Sequence, residues 1–567
     1  MASAADQNVV KVVAQREVSP LPGSVTPSEV PLTYFDIALL SVPPIQQLFF
    51  FDFPCSTQDF LDAHFPLLEL SLSRTLTLFF PAAGRLVPAS DSHLGDHVIR
   101  YSDGDCVPLV LAESQSLSFE RLVANKAKEA EQLHPLVPPL LPSSKPLVAI
   151  QVTVFPGSGL SLGFTVKHVL ADGSACTHFL KSLAAIFKAG GDVSVAKDLP
   201  ITDRTALLRG LEPLKVQHLE EAAAASKKKL GSRASLSESR GAEEARVVPD
   251  RVTRSTFVLT RGHIQKLRKK IASTGPYKEV APPMMSTFTN TCAYLWVCQT
   301  KSRDDMTKNN NTVYFGFPAD CRPRFVPPIP ASYFGNCVTM AAVVEASRAE
   351  LTGENGLAAA SEAIQRAIRR LEKGLLLNEA LSTRRRWREV KKNSEPGAPP
   401  LCIDGSPRLR LYDTDFGWGR PRKVESISIE SFEAVSMTEC RDEEGGVEIG
   451  IVGPEDEMLR FGSYFEEDFK YLIATILSIY GTFNYRPVWP LVLVPSTTEL
   501  RLVNFGRRFV GNSPGSVRYP HFLVFPAGLR PRFAETGVSS VHFAVLVFNF
   551  DFSRVSKCCK LDDIYHE

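Results

Sequence analysis

LSLGFTVKHVLADGSACTHFLKSLAAIFKAGG, residues 160–191, is the stretch on which the reading of this chain turns. Successive side chains on a strand point to opposite faces, so Leu160, Leu162, Phe164, Val166 and His168 share one side of an extended segment. His168 closes an apolar row and points where that row points. Further on, Asp172 and Ser174 are helix-capping residue types. They precede Phe179, Leu180, Leu183, Ala184 and Phe187 at helical spacing, and Gly190 and Gly191 end the run. Upstream, Leu147–Phe155 is a second β-branched run, and Pro156 to Gly159 between the two reads as a hairpin turn. The unit is a hairpin, a tight loop and a helix, with a histidine at the strand end and an acid in the loop. A neutral imidazole there can take a proton from a hydroxyl, which makes HVLADG a candidate general-base motif. A histidine satisfied within the core fits the same spacing.

The composition fits a folded enzyme-sized chain. Of 567 residues, 44% are hydrophobic and 22% charged, the balance of a globular protein. With 64 basic against 62 acidic side chains, the net charge of +2 is too small for the field that collects nucleic-acid phosphates. The amino terminus lacks the apolar region of a secretory signal, and the longest apolar run, Tyr471 to Tyr480, is about half a membrane span. The expectation is a cytoplasmic, monomeric protein with no membrane or nucleic-acid partner. Eleven cysteines without a C-x-x-C pair predict reduced thiols and no metal.

The organisation follows from apolar patterning. Residues 1–215 form an amino-terminal α/β domain carrying the histidine motif. Residues 216–250 hold almost no large apolar side chains from Glu220 to Asp250 and read as a mobile crossover linker. Residues 251–475 form a second α/β domain. Its expected elements are a strand at 252–259, helices at 263–271, 286–298 and 356–376, and strands near 312–317, 426–436 and 446–452. Residues 476–567, with ten of the 35 phenylalanines, never settle into a period and are expected to be poorly packed. A helix beginning at Glu466 is expected to finish near Thr482.

Two further constellations stand out. Asp415-Phe416-Gly417-Trp418-Gly419 brackets an indole with two glycines, the pattern of a close-packed backbone corner. It is not the metal-binding D-F-G of a kinase, because Val148-Ala149-Ile150-Gln151 lacks the required lysine. Gly511 to Gly515 (GNSPG) matches a hydrolase elbow in spelling, but Pro514 has no N–H to offer an oxyanion.

His168 to Gly173, followed some 240 residues later by Asp415 to Gly419, resembles the plant BAHD acyltransferases, which move acyl groups from coenzyme A thioesters to alcohols and amines. Tyr333-Phe334-Gly335-Asn336-Cys337 is similar to the Y-F-G-N-C run of members that acylate anthocyanin, flavonoid and phenolic glucosides, many of them malonyltransferases. The resemblance spans about Val10 to Phe469. It implies two domains of chloramphenicol-acetyltransferase-like fold with a channel between them, and His168 as base. It implies that Asp172 pairs with Arg322 to fix the loop, with Gly173 beside it. Asp415, often counted as catalytic, would with Phe416, Gly417, Trp418 and Gly419 hold the channel's shape. Ser286 and Thr287 would open a helix near coenzyme A, and Lys266 and Lys269 would meet its phosphates or simply form a solvated basic face.

No cofactor is expected to be permanently bound. Acyl-CoA, with malonyl-CoA as the lead, is the co-substrate, and a glycosylated phenolic is the acceptor. Ser174 stands where many malonyltransferases carry a basic residue. Residues 476–567 lie outside the family pattern, as an extension or a misread gene end. A reading of another class makes the chain a binding-only relative spoiled by that tail.

Overall fold

The computed structural model describes residues 9–90, 95–140, 145–234, 252–274, 286–303, 312–371, 379–394, 399–467 and 469, with five short strands beyond residue 490. Met1–Phe469 is one compact unit and Lys470–Glu567 another.

The hairpin forms where the sequence places it. Val148–Phe155 pairs antiparallel with Gly159–Val166, Phe155 opposite Gly159, and Gly157 takes the left-handed φ of +70° at the turn. Both strands are buried along their whole length. Helices Phe65–Leu78 and Gly173–Lys188 belong to the core on one face, and a cluster of Phe50, Phe119, Leu133 and Leu136 covers the other. Two polar residues of that second face find backbone acceptors: Thr165 donates to the Pro138 carbonyl at 2.6 Å and Gln151 to that of Pro135 at 2.8 Å. Gly163 is required by close approach, since a Cβ there would sit 2.2 Å from the Leu136 carbonyl oxygen.

Two sheets organise Met1–Phe469. The first runs Val10–Val18, Val107–Ser114, Val148–Phe155, Gly159–Val166, Ile45–Phe51, Lys423–Ser426. The second runs Val338–Ser347, Thr312–Asp320, Leu401–Asp404, Val435–Glu439, Val447–Pro454, Val252–Leu259, Lys128–Glu129. Each sheet therefore takes an edge strand from the other half of the chain. Lys423–Ser426 pairs with Ile45–Phe51, and Lys128–Glu129 pairs with Val252–Leu259. The expected boundaries at 215 and 251 do not separate the sheets.

The exchange buries a charge cluster. Lys128 reaches Glu425 at 3.1 Å, Arg254 reaches Glu425 at 3.3 Å and Glu430 at 2.9 Å, and Lys423 reaches Glu448 at 2.9 Å. Burial alone would push the Glu425 carboxyl up, but Lys128, Lys423 and Arg254 outweigh it and bring it down to about 2.

Three expectations need correction. The stretch expected to be a mobile linker from residue 216 is helical to Ala234 within the Thr205–Ala234 helix; 235–251 lie outside the described residues. Alanine, lysine and glutamate are strong helix formers, and the packed start at Leu207 and Leu211 supplies the nucleus, so no apolar stripe is needed to carry the helix on. The strand expected across 426–436 is split: Lys423–Ser426 joins the first sheet, a short helix spans Ile429–Phe432, and Val435–Glu439 joins the second. The helix expected from Glu466 is instead Glu455–Glu467, and residues 470–490 lie outside the described residues. In the tail, Leu491–Pro495, Glu499–Asn504 and Leu523–Pro526 form one small antiparallel sheet, and Pro531–Phe533 pairs with Leu546–Phe548.

Candidate active site

His168 follows the strand end at Val166, in a turn closed by the Leu170 N–H on the Lys167 carbonyl at 2.9 Å. Its ring stands 6.2 Å from that of Phe432, so residues of both halves meet there. Its Nδ1 is buried and has no hydrogen-bond partner among the described residues. Burial lowers the imidazole's proton affinity below the ordinary histidine value, and Asp172, Asp404 and the Asn336 amide offset only part of that. The ring is neutral at pH 7, the state a base requires.

Asp172 turns away from His168. It caps the Gly173–Lys188 helix, with Oδ1 accepting from the Ala175 N–H at 3.0 Å. The Arg322 guanidinium grips it with two bonds, 2.9 Å to Oδ2 and 3.1 Å to Oδ1, and the Cys337 N–H adds a third donor at 2.8 Å. Arg322 is itself buried and donates to the Tyr333 and Gly335 carbonyls at 3.3 and 3.2 Å. Gly173 opens the helix beside Leu409. Asp172 thus welds the histidine loop to the YFGNC segment.

Sequence reasoning missed a second fastening. Asn336 Nδ2 donates to the carbonyls of His168 and Val169 at 2.9 and 3.1 Å, gripping the backbone of His168 itself. Asp36 holds the same amide at 3.0 Å, also accepts from the Thr33 hydroxyl at 2.6 Å, and forms a buried ion pair with Arg204. Thr33 and Asp36 carry the spacing of a capping box, which is a readable signal for a helix start at Tyr34. The sequence gives no sign that the box also reaches Asn336.

The structure does not bring Asp415 to His168. Asp415 accepts from Lys188 at 2.6 Å, and from the Gly417 and Gly419 N–H groups at 2.7 and 3.0 Å. Lys188 ends the helix that Asp172 caps, 16 residues long, which at 1.5 Å per residue separates the two ends by roughly 24 Å. Phe416 and Trp418 stack at 4.9 Å, and Trp418 meets Phe51 at 5.3 Å and Phe187 at 5.2 Å. Gly417 and Gly419 both take φ of +88°, which explains the glycines.

Of the expected coenzyme A residues, Ser286 and Thr287 open one helix, and Lys266 and Lys269 lie on another. Ser286 caps the Thr287–Ser302 helix by accepting from the Thr289 N–H at 3.1 Å. Arg268, not anticipated, donates to the Thr287 hydroxyl at 3.3 Å and brings in the Arg261–Ala272 helix, on which Lys266 and Lys269 are exposed. The capping hydroxyl is engaged with its own helix, and the cation at that helix start is Arg268. Residues 511–515 lie outside the described residues.

The model of the Transferase family matches residues 11–468. A malonyl-coenzyme A:anthocyanin 3-O-glucoside-6''-O-malonyltransferase of Dahlia pinnata is 34% identical, over 82% of this chain and 98% of its own. A coumaroyl-CoA:anthocyanidin 3-O-glucoside-6''-O-coumaroyltransferase of Arabidopsis thaliana is 33% identical, over 81% and 97%. Among solved structures, vinorine synthase superposes with a TM-score of 0.56 at 19% identity, covering 80% of this chain and 96% of its own. TRI101 of F. sporotrichioides, solved with coenzyme A and T-2, gives 0.54 at 16% identity, over 76% and 96%. These two share the fold.

Proposed function

Because the chain belongs to the BAHD family of transferases, we propose that this acyl-CoA acyltransferase moves a malonyl or hydroxycinnamoyl group onto a hydroxyl of a flavonoid or phenolic glucoside, with His168 as the general base. The observation that carries the role of His168 is the division of labour in the loop: Asp172 is saturated by Arg322, Cys337 and Ala175, while the imidazole is kept neutral and its backbone is clamped by Asn336.

The chemistry follows. His168 takes the proton of the acceptor hydroxyl as that oxygen bonds to the thioester carbonyl carbon. The carbon–sulfur bond breaks as the tetrahedral intermediate collapses, and the imidazolium returns the proton to the departing thiolate. Transfer is direct, in a ternary complex. The Thr287–Ser302 helix start with Arg268 and Lys266 is the place for the phosphates of coenzyme A. Ser174, half-buried in the first helical turn, leaves the donor carboxylate without a cation there, which keeps both donor classes in play. The protein acts as a cytosolic monomer. Among the described residues no helix is long and apolar enough to cross a membrane.

The test is turnover of malonyl, acetyl and coumaroyl thioesters against a panel of phenolic glucosides, with His168→Ala beside the wild type. The variant should keep its fold and lose about 100-fold to 10,000-fold in rate, the usual worth of a positioned general base. Near-normal activity in a folded variant would refute the assignment. Initial-rate patterns should intersect, and enzyme mixed with labelled thioester alone should stay unacylated.

A further inference from the structure

His168 becomes a cation during transfer, and Asp172, the acid four residues along, is already committed to Arg322. A second carboxylate, on the other sheet, acts electrostatically on the imidazole. Asp404 is the last residue of strand Leu401–Asp404, ahead of Gly405, whose φ of +78° turns the chain away. Ser426 ties it to the first sheet, the hydroxyl donating to Asp404 Oδ2 at 2.7 Å.

The register fixes where this happens. Ser426 lies opposite Gln47, and Ile45, two residues on, lies opposite Val166, just before His168. The Ile427 N–H bonds the Gln46 carbonyl at 2.8 Å, so the segment after Ser426 follows the sheet end from which His168 emerges, and its Phe432 packs on the imidazole. Asp404 is thus anchored at the same end of the first sheet as the base.

We propose that Asp404 is a positioning residue for the transfer reaction: its carboxylate, held by Ser426, opposes the charge that forms on His168 and sets how readily the imidazole accepts and returns the proton. This rests on His168 being the base. The electrostatics agree in direction. Burial raises the Asp404 carboxyl above the ordinary value, the Ser426 bond and His168 offset part of that rise, and Asp404 in turn raises His168 against the burial that lowers it. The charged groups acting on His168 are Asp172 from its own loop and Asp404 from the second sheet, with the Asn336 amide as the polar third. Of the two acids, only Asp404 lacks an arginine partner among the described contacts.

Removing the charge should make the imidazole harder to protonate. In Asp404→Asn the acidic limb of kcat/KM, where the base loses its neutral form, should move to lower pH by roughly half a unit or more. kcat should fall about 10-fold while the KM for the thioester holds. The His168 ring resonance, followed by NMR across pH without substrate, should show the same downward shift. Ser426→Ala, which frees Asp404 without removing it, should shift both readouts less and in the same direction, and Asp404→Glu should restore part of kcat. An unmoved pH limb and an unmoved ring titration in folded Asp404→Asn overturn the proposal while leaving His168 as base. If His168→Ala retains activity, the base assignment falls, and the ring titration still decides whether Asp404 governs the imidazole.

Discussion

A carboxylate saturated by four donors behaves differently from one that merely sits near a histidine, and the acids of this site can be told apart on that ground. Asp172→Asn removes the buried, two-pronged carboxylate facing Arg322 and leaves that buried cation only the half-exposed Asp320, at 3.2 Å, as a charged partner. The expected loss is about 3–5 kcal/mol of stability. A thermal midpoint and a rate both equal to wild type would contradict the fastening role. Asp415→Ala is expected to act on stability alone. The exposed Gly417 and Gly419 N–H groups exchange their acceptor for water, at a cost of about 0.5–1.5 kcal/mol per bond, while kcat and its pH profile, measured below the melting range, stay within a few-fold of wild type. A pH profile displaced in that variant would place Asp415 in the chemistry after all. His168, Asp172 and Arg322 were legible from motif spelling. Asn336 was legible only as a letter of the YFGNC run, without its grip on His168, and Asp404 and Asp36 were not legible at all, because each is a lone polar residue whose partner lies 22 or 300 residues away.

At the scale of elements, the hairpin and the helix after it were legible because period and punctuation agreed: β-branched runs, a Pro-Gly turn, a capping aspartate, two terminal glycines. The exchanged strands were not. Lys128–Glu129 and Lys423–Ser426 are two and four residues long, too short for any period, and they are rich in charge that local reading assigns to solvent. What makes them strands is the opposite charge waiting in the other half. Glu425→Gln should therefore destabilise the protein at pH 7 by leaving Lys128 and Arg254 buried beside a neutral group. The folded carboxyl sits at about 2 against an ordinary 4.5, so its contribution is complete above pH 4.5 and lost as pH falls towards 2. Urea midpoints of wild type and variant should differ at pH 7 and converge between pH 4.5 and 2. Parallel curves over that range would mean that Glu425 is not the acid-sensitive tie. The aromatic corner makes a simpler demand: Trp418→Ala removes a ring in contact with Phe51, Phe60, Phe187 and Phe416, at a cost of about 3–5 kcal/mol. Unchanged stability on calorimetry would refute that packing role.

For the whole molecule, the residues proposed for chemistry all lie within Met1–Phe469, and the tail forms a unit of its own. A chain cut after Thr482 keeps Phe469, whose ring stacks on His263 at 4.1 Å and meets Tyr294 at 5.6 Å, and it should be as active and at least as soluble as the full chain. Loss of activity in that shortened chain, with the full chain active, would make the tail part of the catalytic body. The strand exchange also sets a timetable. Strand Ile45–Phe51 emerges early from the ribosome, yet its outer neighbour is Lys423–Ser426, and Arg422 beside that neighbour closes on Asp52 from 370 residues away. At 5–20 residues per second, synthesis leaves that edge open for roughly 20–75 s. For that interval the nascent first sheet presents a bare row of backbone donors and acceptors next to three phenylalanines, Phe49, Phe50 and Phe51. The arrangement that locks the finished enzyme together makes its first half a client for chaperones while the second is still being made.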